Sequence, residues 1–171
     1  WNRRARYIAQ FAALRPDSAP GTIHFLGGPG LGKRHIARAL AREWGAAGLH
    51  VLVIKTTAFV ALVEKARHSY SLPSIILDWF GGFDAVYFET LDFLTVLPWF
   101  NNPWVQVIDE LIAAKRRVVI TSTCPISNFG CPIFKMEPVF RRGPVVELLC
   151  PARADRRVIL ASFCRAHRIR V

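Results

Sequence analysis

A chain of 171 residues with 52% hydrophobic composition is long enough to bury one substantial core and too apolar to stay disordered. Its 23 Lys and Arg against 12 Asp and Glu leave a net charge of +11, which either attracts polyanions or marks a solvated, arginine-rich surface. The longest apolar runs, such as Val51 to Ile54, are strand length and exclude a membrane span; no secretory leader opens the chain, so a cytoplasmic setting is expected. Cys124, Cys131, Cys150 and Cys164 lack zinc-ligand spacing and read as reduced, mostly buried thiols, so no metal site is expected from them.

Residues 1–21 read as an N-terminal segment, a basic helix with Tyr7, Ile8 and Phe11 on its apolar face, closed by the turn cluster from Pro16 to Gly21. The core is expected over 22–171. Thr22 to Leu26 is a strand, and Ile36, Leu40 and Trp44 set the buried face of a helix that Gly45 and Gly48 stop. Val51 to Ile54 suits a buried parallel strand, with Thr56 or Thr57 capping a helix to about His68 that turns Phe59, Leu62, Val63 and Ala66 inward. A short helical piece, Ser74 to Phe80, precedes a strand over Asp84 to Glu89 and a helix over Trp104 to Ala114, with Val105, Ile108, Leu111 and Ile112 inward. A strand at Val118 to Ser122, a proline-rich loop, a strand at Val145 to Leu149 and a helix from Arg153 to His167 complete an α/β sandwich around a mostly parallel sheet.

The chemistry sits between the first strand and its helix, where Gly27, Gly32 and Lys33 fit the phosphate-loop pattern G-x-x-x-x-G-K-[ST]. Gly28, Pro29, Gly30, Leu31, Gly32 and Lys33 would cradle the phosphates of ATP or ADP on the following helix N-terminus. A hydroxyl that ligates magnesium should follow the lysine, but Arg34 stands there, so magnesium is not expected. The competing reading is a glycine-rich turn that closes a strand and binds nothing.

Gly27-Gly-Pro-Gly-Leu-Gly-Lys33 followed by His35 resembles the phosphate loop of the bacterial chromosomal replication initiator family (DnaA), G-G-x-G-L-G-K-T-H. Asn2-Arg3, Phe59-Val-Ala-Leu-Val-Glu64, Phe83 to Leu94, Val118 to Pro125 and Arg142 to Glu147 resemble further segments of that family in order, over nearly the whole chain. The resemblance implies an AAA+ P-loop three-layer sandwich with a five-stranded sheet in the order 5-1-4-3-2, insertion helices over about 57–82, and neither the helical lid nor the duplex-DNA-binding domain. It also implies that Asn2 and Arg34 border the nucleotide and that Lys65, Arg67 and His68 are placed for single-stranded DNA. Trp79 and Phe80 either stack on bases or, as such residues more often do, pack in the core.

Against the family pattern the hydrolytic groups are altered. Glu89 takes the metal-coordinating Walker B place, Thr90 the water-polarising one, Thr123 the polar sensor place and Val139 that of the arginine finger. Asp92 lies two residues past Thr90 and is not expected to swing back. Arg34 either neutralises phosphate directly or pairs with Glu89 across an empty site. The expected function is a degenerate DnaA-like domain acting by binding nucleotide, DNA or a replication protein in replication initiation or its control, without efficient hydrolysis. The alternative is a nucleotide-free protein-interaction adaptor.

Overall fold

A computed structural model of the chain describes residues 2–66, 78–92, 101–124 and 142–168. Five strands, β1 (Thr22–Leu26), β2 (Val51–Lys55), β3 (Ala85–Glu89), β4 (Arg117–Ser122) and β5 (Val145–Glu147), form one sheet in the order β2-β3-β4-β1-β5. All its pairings are parallel, with Ile23 opposite Val119, Val53 opposite Tyr87 and Phe25 opposite Val146. This is the expected order 5-1-4-3-2. The central strands β3 and β4 are buried on both faces, as parallel strands under helices are.

Because side chains alternate along a strand, each strand feeds two cores. Val86, Phe88, Val118 and Ile120 face one layer, made by α3 (Thr56–Ala66) and α4 (Asn101–Ala113), where Phe59 meets Phe88 edge to face at 5.2 Å and Trp104, Val107, Ile108 and Leu111 are buried. Phe80 belongs to this core and Trp79 packs against it, so burial rather than base stacking accounts for both. Ile23, Phe25, Tyr87 and Val119 face the other layer, where α2 (Lys33–Ala46) lies with Ala37, Leu40 and Trp44 inward. Helix α2 continues through Gly45 rather than stopping there.

Helix α1 (Arg3–Leu14) packs on α2, with Ile8 of the expected apolar face partly buried against this core. Ala5 and Ala12 are its buried residues, while Tyr7 is 69% exposed. Alanines let two helices approach closely, and that contact outweighs burial of the Tyr7 ring. The segment between α1 and β1 is fastened from below by Arg117, whose Nε donates to the Pro16 carbonyl at 2.6 Å and whose Nη2 lies 3.2 Å from Asp17 Oδ1. The last helix, α5 (Arg153–Ala166), buries only Cys164 and leaves Val158, Ile159, Leu160 and Phe163 exposed, so its apolar face does not close onto the sheet as the sequence pattern suggests. Among the described residues no helix is long and apolar enough to cross a membrane.

Candidate functional site

Strand β1 runs directly into the turn over 27–32, and α2 begins at Lys33. The turn depends on glycine at its first position: Gly27 has φ 150, and a Cβ there would fall 2.6 Å from the Leu148 carbonyl oxygen. No side chain caps α2, so the N–H groups of its first turn, which have no partner within the helix, stay directed at the loop and favour an anion. Lys33 Nζ donates to the carbonyls of Gly27 and of Gly28, the latter at 2.7 Å, and so sits within the turn. Burial lowers the Lys33 pKa, with the charge of Asp92 acting in the opposite direction.

The alternation that puts Ala85 and Tyr87 under α2 puts Glu89 there too, at the end of β3 and only 2% exposed. Its carboxylate meets two guanidinium groups. Arg38 Nε donates to Oε1 at 2.6 Å, and Arg34 Nε lies 3.7 Å from Oε2. The Arg34–Glu89 pairing, one of the two alternatives for Arg34, is present, but Arg38 makes the shorter contact. The hydrogen bond to Glu89 and then its charge raise the Arg38 pKa. Arg34 Nη2 also donates to Thr90 Oγ1 at 3.4 Å, and Thr90 N donates to Thr121 Oγ1 at 3.1 Å. Beside Thr121 the buried Tyr87 hydroxyl is pushed up to about 12, chiefly by burial.

Asp92 does turn back. Thr90 takes a left-handed φ of 64, which reverses the chain just past β3, and Asp92 Oδ1 accepts the Thr123 N–H at 2.5 Å. Asp92 thereby fixes the loop after β4, and its charge reaches Lys33 and His24. A second tie reaches the same loop from β1. Ser122 Oγ donates to the Cys124 carbonyl at 3.0 Å, so its single proton is used, and His24 Nε2, 2.6 Å away, is assigned as the donor to it.

Burial lowers the His24 pKa from 6.5 to about 4. The neutral ring is the folded form, so its contribution is intact above pH 6.5 and is lost progressively as pH falls from 6.5 to about 4, in total about 3 kcal/mol. Urea melts at pH 7 and pH 5 should show the wild type losing about 2 kcal/mol more than His24→Asn. Equal losses would mean that His24 protonates without unfolding.

On the other side of the loop a cleft of about 1530 Å³ opens between α1, α2 and α5, lined by Asn2, Arg6, Gly30, Gly32, Ile36 and Phe163 among others. Its size exceeds the ~300–1,000 Å³ of closed small-molecule pockets, and exposed apolar residues of α5 line one side of it. Asn2 Oδ1 accepts the Leu149 N–H at 3.0 Å, leaving Asn2 Nδ2 a buried donor with no hydrogen-bond partner among the described residues.

The structure thus brings Gly28, Pro29, Gly30, Leu31, Gly32, Lys33 and Arg34 around one turn, with Glu89 at the end of β3, Thr90 and Thr123 just past β3 and β4, and Asn2 at the cleft. Lys65 is exposed near the end of α3, while Arg67, His68 and Val139 lie outside the described residues. The spacing of four puts Arg38 on one helix face with Arg34 and Arg42, but sequence reasoning did not assign Arg38 to the site.

A family model described as IstB-like ATP binding protein matches residues 2–135. No curated protein matches the chain. Among solved structures, domain III of the Thermotoga maritima replication initiation protein DnaA is similar with TM-score 0.88 and 19% identity, over 99% of this chain and 71% of that one. A replication initiator DnaA bound to AMPPCP and single-stranded DNA is similar with TM-score 0.82 and 16% identity, over 99% of this chain and 53% of that one. A DnaC helicase loader gives TM-score 0.61 and 14% identity, over 85% and 89%. The chain therefore spans about half the length of the longer DnaA structure. With the matching model covering most of its length, the chain belongs to the IstB-like ATP binding protein family, on the AAA+ fold that DnaA domain III shares.

Proposed function

We propose that this chain is an AAA+ module that binds ATP or ADP and acts by binding, without efficient hydrolysis, in bacterial DNA replication initiation or its control. The observation that carries this is the glycine turn over the uncapped α2 N-terminus with Lys33 inside it, beside a Glu89 already held by two arginines. Phosphates would lie along the backbone of 28–32 with Lys33 on the outer ones, and Asn2 would offer its unpaired amide to the base side. Hydrolysis needs an acid that orients water and a metal ion that bridges the phosphates; Thr90 is no acid, and Arg34 offers the ion no hydroxyl.

The DNA-binding and partner readings rest on similarity and charge. A DnaA of the same fold has been solved with single-stranded DNA, and a similar structure is a helicase loader. A net charge of +11, with Lys65 exposed, suits a phosphate backbone. The exposed Val158, Leu160 and Phe163 of α5 favour, as a second reading, an adaptor that uses the fold to meet a protein.

Titration calorimetry should find ATP binding that drops about 10- to 100-fold in Lys33→Ala, the loss of one charged contact to phosphate, with turnover at background in both proteins. Single-stranded DNA should bind with affinity falling steeply as salt rises. Absence of nucleotide binding would favour the adaptor, and turnover abolished by Lys33→Ala would overturn the non-hydrolytic reading.

A further inference from the structure

The family's nucleotide is ordinarily partnered by a divalent cation, and the residues here do not fit one. Magnesium asks for near-octahedral oxygen ligands. The first candidate, the hydroxyl after the phosphate-loop lysine, is replaced by the Arg34 guanidinium. The second, Glu89, has both carboxylate oxygens facing arginines, Oε1 at 2.6 Å from Arg38 and Oε2 at 3.7 Å from Arg34. Thr90 Oγ1 accepts from Arg34, and Asp92 Oδ1 accepts from Thr123 N.

We infer that Arg34 and Arg38, braced by the buried Glu89, form a fixed cationic site for the terminal phosphate of a nucleoside polyphosphate, which the protein binds in its metal-free form. One carboxylate shared between two guanidinium groups leaves a net positive charge beside Lys33 and the α2 N-terminus, and a dication brought there would be repelled by all three side chains. Glu89 is 2% exposed while Arg34 and Arg38 are 61% and 51% exposed, so the carboxylate anchors the pair and leaves both arginine side chains accessible from solvent. The planar fork of arginine matches phosphate oxygens, so the site selects for the number of phosphates rather than for a metal complex.

The inference rests on the reading that the loop holds nucleotide, and one set of measurements separates the two. Binding of ATP, ADP and AMP is titrated in EDTA and in excess Mg²⁺. The expected result is ATP affinity in EDTA equal to or higher than in Mg²⁺, rising with phosphate number, and falling about tenfold in Arg34→Met and in Arg38→Met for the loss of a charge-assisted bond. Electron paramagnetic resonance with Mn²⁺ should show the ion bound no better in the protein–ATP mixture than by ATP alone. The double variant Arg34→Thr, Arg38→Ala, which restores a hydroxyl and frees Glu89, should acquire Mg²⁺-dependent binding. ATP binding at least tenfold tighter with Mg²⁺ in the wild type, or Mn²⁺ retained by the complex, would overturn the inference while leaving nucleotide binding intact. No binding of any nucleotide in either condition would overturn the nucleotide reading, and the inference with it.

Discussion

Gly143→Ala should leave the protein unable to fold, or destabilise it by about 3 kcal/mol or more, beyond the usual cost of overpacking. A Cβ at Gly143 would fall 1.8 Å from the Thr22 carbonyl oxygen and 2.6 Å from Thr22 Oγ1. The overlap is with backbone, so no side-chain rotation relieves it. The neighbouring Pro144 carbonyl accepts the His24 N–H at 3.0 Å, and β5 pairs with β1 from His24 to Leu26, so the chain can retreat only by opening the β1–β5 ladder. The damage would reach the phosphate loop, because Leu148 N donates to Leu26 O and the Leu148 carbonyl packs against Gly27. Gly45→Ala is the control: it lies within α2 with nothing within 4 Å of the added carbon, and alanine there should stabilise by up to about 1 kcal/mol. Urea midpoints of the two variants decide the matter, and a Gly143→Ala protein as stable as wild type would mean that β5 does not pair as described.

The sheet was legible because its strands are short apolar runs separated by helix-period segments, a pattern that leaves few topologies, and the resemblance selected one of them. Helix α4 shows the limit of that reading. Val105 and Ile112, expected inward, are partly buried, while Trp104 and Val107 take the fully buried places. A rotation of one residue around a helix lies within what periodicity alone can resolve. Residues of the phosphate loop were legible for a different reason, since the turn needs glycine for backbone geometry and lysine for charge, and both are local demands.

The altered metal place was only half legible. Arg34 could be seen because the pattern fixes its position after Lys33, but the grip of Arg38 on Glu89 depends on how far α2 stands from the end of β3, which no spacing encodes. Asp92 was misplaced because a strand end was assumed to continue outward. A β-branched residue seldom adopts positive φ, yet Thr90 does, with its N–H held by Thr121, and that single dihedral carries Asp92 back to the sensor loop. On α5 the apolar face was read from period and assumed to be covered. Period shows which side chains share a face, and says nothing of whether that face is met.

Trp44→Ala should cost about 3 to 5 kcal/mol, the range for truncating a large buried aromatic side chain. The residue is 1% exposed in the layer between α2 and the sheet. Its Nε1 also donates to the Ala12 carbonyl at 2.9 Å. That carbonyl lies in the last turn of α1, and the N–H that would continue the helix to it belongs to position 16, which is proline and has none. Trp44 therefore satisfies an acceptor that the helix end leaves open, and it ties α1 to α2. Trp44→Phe separates the two contributions, keeping most of the ring and losing the bond, for about 1 to 2 kcal/mol. The tie matters beyond stability because α1 follows directly on Asn2, which borders the cleft and accepts the Leu149 N–H. Under conditions where each variant is still folded, hydrogen exchange should accelerate in α1 of Trp44→Phe ahead of the sheet, and ATP affinity should fall with it. Unchanged exchange in α1 alongside the expected loss of global stability would show that Trp44 supports the core alone and that α1 is held by its alanine face.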